Sequence, residues 1–364
     1  MEITGYKLWK VEAPIGRTIG DSQVEPIKEF EMLVLKIETD TNEVGLGLDR
    51  VNLTGESTLS GSTLRSEFAP VAELLLGSSP FALRQRMHRP RGGNVGDDRF
   101  DAAVDIGLWD LCGKHLGLSV AELMGADADT ERVPAYASGI SFPNDDETTR
   151  AVYREFAESG FTAAKVKVGY PTVEADIDRL RLVRDVLGSD GTLMIDANEA
   201  FSPKEACRRL ERYKRAGFDI YWFEDPVLRH DVDGIRHVAE QMVDTHVNVG
   251  EYVGIERTRR LLENGAADII NLRGLSSGRA TAELAHSFGR PLAVGNTPGD
   301  VGVHLGAALP ELTYVEWSNP GWAKLFEDPI EFADDYASLP EGPGHGLSLD
   351  ESAMQQYGSV ITDG

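Results

Sequence analysis

Between about Val133 and Trp317 the chain repeats one unit, a short apolar run followed by an amphipathic stretch. The runs are VPAYASGI, AAKVKVG, TLMIDAN, YWFEDP, HVNVGEY, DIINLR, PLAVGN and LTYVEW, eight in all. They read as strands, and the segments between them, such as TVEADIDRLRLVRDVLG and PKEACRRLERYKRAG, read as helices. The second of these opens with Ser202-Pro203, a cap and first-turn pair, and stops at Gly217. Eight strand–helix units fit a closed (β/α)8 barrel of the TIM type better than an open doubly wound sheet. No G-x-G-x-x-G follows an early strand and there is no P-loop, so neither a dinucleotide nor an ATP site is indicated.

The part before the repeat has a different grammar. EMLVLKIETD alternates apolar and polar residues, and GLGLDRV continues after Asn42-Glu43, so residues 31–51 read as a hairpin. Helical patterns follow at about 57–76 and 97–117. In the second, Ala103, Ile106, Gly107, Trp109, Asp110 and Cys112 crowd one region, as in a packed helix whose small residues allow close approach. Strands followed by helices make an α+β unit. The expected organisation is a capping domain over 1–125, the barrel over 126–330, and a segment over 331–364 that returns to the cap.

Polar residues recur where the barrel strands end. Strand two ends Lys165-Val166-Lys167, strand three Asp196-Ala197-Asn198, strand four Glu224-Asp225-Pro226, and strand five Gly250-Glu251. Lys167, Asp196, Glu224 and Glu251 follow one another at intervals of 29, 28 and 27 residues. One strand–helix–strand step takes about this length, so each lands at the same height on the next strand, at the end where barrel enzymes keep their chemistry. A single acid at a strand end is ordinary and solvated. Three in register would repel unless a cation sat between them, and hard carboxylate oxygens select Mg2+. Lys165 and Lys167, two apart on a strand, leave the same face. Repulsion between two ammonium groups and partial desolvation are expected to lower a lysine pKa, making Lys167 a base tuned by Lys165. The chemistry such groups suit is removal of a proton next to a carboxylate, with the cation stabilising the resulting charge.

Charge narrows the partners. Sixty acidic residues against 36 basic ones give a net charge of −24. A surface of that sign repels nucleic acid and anionic membrane alike. Only 10 of the basic residues are lysine, an acid-rich and lysine-poor balance that points to adaptation to concentrated salt. Cys112 and Cys207 are far apart and suggest no disulfide framework; with no signal-peptide pattern and no membrane-length apolar stretch, a cytoplasmic protein is expected.

DAAVDIGLWDLCGKHLG and VAELMG in the cap, then KVK, DAN, EDP and GE in the barrel, resemble the mandelate racemase and muconate lactonizing enzyme branches of the enolase superfamily, over nearly the whole chain. The resemblance implies that Asp196, Glu224 and Glu251 hold Mg2+, that Lys167 is the general base with Lys165 as its partner, and that residues near Pro14 to Gln23 form the loop that closes over substrate. It also implies a homo-oligomer, dimer or octamer. The chain departs from both branches. Where the muconate type ends strand six with a second lysine, this chain has Arg273, which stays protonated. Where the mandelate type ends strand seven with histidine, it has Gly295-Asn296-Thr297. Glu316, ending strand eight, resembles the mandelate-type glutamate that bonds the substrate carboxylate. Arg273 and Asn296 are candidates for substrate hydroxyls or a second carboxylate, His304 reads as structural, and the arginines of 84–99 suit either an enlarged polar cap or a solvated loop.

Racemisation in both directions needs a base on each face of the carbon, and Arg273 and Asn296 supply none. Dehydration needs one base, which can also protonate the departing hydroxyl if elimination is syn. The expected function is therefore dehydration of a small-molecule carboxylate, a sugar acid (aldonate or aldarate), to a 2-keto-3-deoxy acid. The alternatives are an epimerase or cycloisomerase whose second acid/base is another residue, His230 being one candidate, and a barrel without activity. Intact acids and lysines speak against the last.

Overall fold

The computed structural model describes residues 1–22, 25–50, 59–87 and 99–364. The chain opens with three antiparallel strands, β1 (Ile3–Ile19), β2 (Ile27–Thr39) and β3 (Val44–Arg50). The β2–β3 hairpin is the one expected from EMLVLKIETD, and its turn carries Asn42 at φ 66°, a left-handed position that asparagine tolerates. Val51, at the end of the expected hairpin, and residues 57 and 58 of the expected helix lie outside the described residues.

Helices α1 (Gly61–Leu75), α2 (Pro80–Met87), α3 (Asp101–Leu116) and α4 (Val120–Met124) complete the cap. α3 lies against β2 and β3 at backbone distance. A Cβ on Gly47 would stand 1.8 Å from the Ala103 carbonyl oxygen, and one on Gly107 2.9 Å from Ile37. The small residues of the α3 sequence thus do what their crowding suggested.

Eight parallel strands follow: β4 (Arg132–Ser138), β5 (Ala164–Lys167), β6 (Leu193–Asp196), β7 (Trp222–Glu224), β8 (His246–Val249), β9 (Ile269–Leu272), β10 (Leu292–Val294) and β11 (Leu312–Trp317). Each pairs with the next, and β11 returns to β4 through Glu316↔Tyr136, closing the barrel. The helices between them are α5 (Asp146–Glu158), α6 (Val173–Leu187), α7 (Pro203–Arg215), α8 (Val232–Gln241), α9 (Ile255–Glu263), α10 (Ser276–Ser287) and α11 (Gly302–Ala307). All eight strands fall on the apolar runs read from the sequence. α7 is capped as expected: the Ser202 side chain accepts from the Glu205 N–H, Pro203 takes the first turn, and Gly217 follows the end at φ 95°.

Alternation along the strands divides the barrel interior into two layers. Tyr136, Ala163, Met194, Trp222, Ile269 and Ala293 form one apolar cluster. Two residues further along the same strands come Ser138, Lys165, Asp196, Glu224, Asn271 and Gly295. One pleat period therefore carries each strand from a dry plug to a polar floor.

The chain ends back at the cap. After β12 (Phe332–Ala333) and β13 (Tyr336–Ser338), which pairs antiparallel with β4, come α12 (Glu351–Tyr357) and β14 (Gly358–Asp363), which pairs with β1. Cap and barrel also meet where Asp105 of α3 accepts from the Ser276 N–H (2.9 Å) and hydroxyl (2.6 Å) at the start of α10, and Trp109 Nε1 donates to that hydroxyl (2.7 Å). Both cysteines are free thiols, and no helix among the described residues is long and apolar enough to cross a membrane.

His304 is fully buried on α11, its Nε2–H donating to the His345 carbonyl at 3.1 Å. Burial, with His345 adding to it, lowers its pKa to about 4. A base lowered on folding stabilises the fold above its unfolded value near 6.5 and loses that contribution as pH falls from there toward 4. His304→Gln, which keeps a donor, is expected to flatten the decline in stability between pH 7 and pH 4.5 by ~1–3 kcal/mol, as read by urea unfolding at each pH.

Candidate active site

The polar floor carries charge in dense, alternating order. Lys165, fully buried on β5, places Nζ 2.9 Å from both Glu224 carboxylate oxygens, 3.2 Å from Glu316 and 3.6 Å from Asp196. Lys167, one pleat nearer the rim, donates to Asp196 Oδ2 (2.6 Å) and Asn198 Oδ1 (2.7 Å), with Asp21 of the cap at 4.0 Å. The two lysines share a face, as their spacing required.

Their protonation runs opposite to expectation. Burial by itself lowers both, but carboxylates outweigh it: Asp196 and Asp21 raise Lys167, and Glu224 and Glu316 raise Lys165 further. Repulsion between the ammoniums was the wrong dominant effect, because each sits closer to an acid than the sequence could show. A divalent cation shared by those acids would draw off their charge and move Lys167 back toward the range of a base.

The strand-end backbone is strained. Asn198 (φ 44°), Glu199 (φ 67°) and Asp225 (φ 39°) all occupy the left-handed region. Arg229 braces this corner, donating from Nε (2.7 Å) and Nη2 (2.6 Å) to Asp225 Oδ2 and from Nη1 to Glu199 at 2.9 Å. Glu199 N–H donates to the Asp225 carbonyl at 2.8 Å, joining the two loops.

Three buried carboxylates, Asp196, Glu224 and Asp225, bring one oxygen each within 4.8 Å of one another. Burial raises Glu224 well above the usual range and Asp225 to about 7, with Asp196 adding to both. Five acids, Asp196, Glu224, Asp225, Glu251 and Glu316, gather around Lys165, Lys167 and Arg229, and the upward shifts of Glu224 and Asp225 show carboxylates crowded beyond what those cations satisfy. Oδ1 of Asp225 and Oε2 of Glu316 are buried without a partner among the described residues. Oxygen donors with a deficit of cation are what a hard divalent ion requires. Glu251, expected with Asp196 and Glu224, is not in the tight group; it lies just past β8 in the pocket wall. Gly295 leaves it room, since a Cβ there would come 3.0 Å from its Cγ.

The pocket above the floor is lined by Lys165, Lys167, Asn198, Glu251, Asn296 and Glu316 from the barrel. From the cap come Ile19, Gly20, Asp21 and Arg50. The Pro14–Gln23 segment expected to cover substrate is partly β1, and its tip bonds the barrel: Ser22 Oγ donates to the Ala197 and Asn198 carbonyls, both at 3.0 Å. Gln23 lies outside the described residues.

Arg273 does not line this pocket. Gly274 turns the chain at φ 72°, and the Arg273 guanidinium stacks 4.8 Å over Tyr252. His230 is exposed and likewise absent from the wall. Arg84 lies 3.7 Å over Trp109 and Arg99 bonds Glu67, so neither reaches the pocket; the arginines between 88 and 98 lie outside the described residues. Arg50, Tyr252, Asp21 and Asn198 were missed. Asn198 alone had a signal, two residues beyond Asp196 on the same strand end.

A model described as "Enolase C-terminal domain-like" matches residues 147–353, and one described as "Mandelate racemase / muconate lactonizing enzyme, N-terminal domain" matches 17–125. The chain belongs to the mandelate racemase and muconate lactonizing enzyme family of the enolase superfamily. A crystal structure from Mesorhizobium loti, provisionally described as a mandelate racemase, shares 36% identity at a TM-score of 0.90, over 99% of this chain and 95% of the other. The L-talarate/galactarate dehydratase of Salmonella typhimurium is 27% identical over 97% of this chain and 90% of its own. L-talarate dehydratase from Polaromonas sp. JS666, solved with Mg and L-glucarate, is 27% identical at a TM-score of 0.83, over 100% of this chain and 98% of its own. Other relatives are named as a cycloisomerase and an epimerase.

Replacing Arg229 leaves Asp225 and Glu199 without their counter-charge at a strained corner. Arg229→Met is expected to destabilise the fold by ~3–5 kcal/mol in urea unfolding. A loss below ~1 kcal/mol would show that the brace is not structural.

Proposed function

We propose that the protein removes the proton α to the carboxylate of a sugar acid and eliminates water to give a 2-keto-3-deoxy acid, with Mg2+ as its ion. The observation that carries the reading is the one-sidedness of the base. Lys167 lines the pocket on strand two of the barrel. Strand six, diametrically across the closed ring, ends Asn271-Leu272-Arg273, and strand seven ends Gly295-Asn296. The lining contains no histidine and no lysine besides Lys165 and Lys167 among the described residues.

Asp196, Glu224 and Glu251 would hold the ion. Asp225 is nearer the first two, but its Oδ2 is already taken twice by Arg229. Bound there, Mg2+ supplies Lewis-acid stabilisation of the charge that gathers on the substrate carboxylate. Lys167 takes the α-proton onto Nζ, leaving the C–H electrons delocalised into the substrate carboxylate; they then form the Cα=Cβ bond as the β C–O bond breaks. The same Nζ can return that proton to the departing hydroxyl on the same face, releasing water and an enol that becomes the keto acid. Lys165 stays charged and screens Glu224 from Glu316. Asn296 and Glu316 supply polar contacts for the substrate's hydroxyls and carboxylate.

The cycloisomerase and epimerase names among the relatives support a second reading, isomerisation of a carboxylic acid with a second acid/base besides Lys167. Product separates the two: a 2-keto acid for elimination, an isomer of unchanged composition otherwise.

Lys167→Ala is expected to lower kcat by at least ~1,000-fold on any sugar acid the wild type dehydrates, with Mg2+ binding retained. Full activity in that variant would remove the base assignment. For the ion, Glu251→Gln is expected to weaken Mg2+ binding more than ~10-fold by calorimetry, and Asp225→Asn less than ~3-fold. The reverse order would make Asp225 the third ligand.

A further inference from the structure

A buried arginine in this protein ordinarily has its acid. Arg209 pairs with Asp176 and Glu205, and Arg229 with Asp225 and Glu199. Arg50, at the end of β3, is buried to 9% exposure in the pocket wall and has none among the described residues. Its side chain makes one hydrogen bond among the described residues, from Nη2 to the Asn296 carbonyl at 3.2 Å, and Nε is buried without a partner. A guanidinium cannot shed its proton to escape this, so a full charge is held out of water against one neutral acceptor.

The two acids near it are engaged elsewhere. Asp49 accepts from the Arg50 backbone N–H at 2.8 Å, and Asp300 accepts from Trp322 Nε1 at 2.7 Å. Burial pushes both carboxyls up to about 7, so neither is a firm counter-charge at neutral pH. Arg50 is nonetheless fixed in place. Its backbone pairs with Met32 of β2, and its guanidinium lies 5.9 Å from the Trp322 ring centre. Its anchoring acceptor, Asn296, is held by Ser318 Oγ at 2.6 Å. A positioned fork with free donors, in a pocket that also carries acids suited to a cation, matches a ligand with a second anionic group besides the one the cation takes.

We infer that Arg50 binds a second carboxylate on the substrate, so that the site takes dicarboxylic sugar acids (aldarates) in preference to aldonates, which end in CH2OH. The inference rests on the dehydratase reading for its assay and on the pocket alone for its chemistry. Arg50 is a specificity residue that touches substrate through that second carboxylate. It comes from the cap, so recognition of the far carboxylate also holds the cap against the barrel.

The test compares galactarate and glucarate with galactonate and gluconate, using the full-length protein with Mg2+. Wild type is expected to favour the better aldarate over its matching aldonate by ~100-fold or more in kcat/KM. Arg50→Met should lose ~100-fold on the aldarate, chiefly through KM, and far less on the aldonate; Arg50→Lys should recover part of the loss. Retained stabilisation by Mg2+ shows that each variant is folded, and Arg50→Gln replaces any that is not. Equal use of both classes by wild type, or equal loss on both in Arg50→Met, overturns the inference and leaves the dehydratase reading standing. If no sugar acid is dehydrated, that reading falls, and calorimetry on Lys167→Ala with Mg2+ decides the matter. Galactarate bound at least ~10-fold more tightly than galactonate, with the difference lost on adding Arg50→Met, upholds the second-carboxylate site. Equal binding, or none, overturns it.

Discussion

The ammonium of Lys165 is almost wholly shut away from water, and the rest of the site is arranged around it. A buried ammonium is tolerable only if acids surround it, and Glu224, Glu316 and Asp196 do so from three other strands. Those acids repel one another, and the lysine lets them stand together on the floor. The group is then overcompensated, with more carboxylate than Lys165, Lys167 and Arg229 can balance. That excess lets one scaffold both keep a lysine inside a protein and attract a divalent ion. The apolar plug of Tyr136, Met194 and Trp222 beneath excludes water and strengthens every interaction above it.

A floor of this kind is an enzyme only when covered, and the cover is welded to the barrel at several points. Asp105 and Trp109 of α3 hold Ser276, β14 brings the end of the chain onto β1, and Ser22 bonds the carbonyls of Ala197 and Asn198. The α3 and Ser22 contacts link elements far away in sequence to a helix start and a strand end of the barrel, and β14 ties the end of the chain into the cap sheet. The cap therefore supplies Asp21 and Arg50 at fixed positions relative to Lys167, which loops on the barrel alone would place less sharply.

The barrel was legible because its signals are local. Each strand is a short apolar run, each helix has its own cap, and the strand–helix period sets Asp196 and Glu224 at one height. The lysine pair followed from alternation alone. The features that were not legible depend on contacts between distant segments. β1 carries a mixed pattern because one of its faces is only half covered. Arg50 sits at the end of an ordinary hairpin strand, and nothing near it marks its guanidinium as bound for a pocket built by strand seven. Arg273 looked better placed, but Gly274 turns the strand end and sends its guanidinium onto Tyr252. The direction of the lysine shifts failed for the same reason: repulsion between neighbours in sequence is visible, whereas attraction across the barrel is not.

Within this family the early chemistry needs only the floor, a base and an ion beside a carboxylate. The fate of the charge formed there depends on the wall that the departing or returning atoms meet. A second base across the ring would return the proton to the other face and invert the carbon. Here strands six and seven supply none: Arg273 stacks on Tyr252 outside the pocket, and Asn296 binds hydroxyls but does not accept protons readily. Under the dehydration proposed above, a charge formed next to the carboxylate leaves by expulsion of a β-hydroxyl, and Lys167, holding the α-proton on the same face, would be the acid that assists it. In that proposal the lack of a lysine or histidine at the ends of strands six and seven accounts for the reaction type, while Arg50, brought in from the cap, accounts for the substrate class, so the two have separate structural causes.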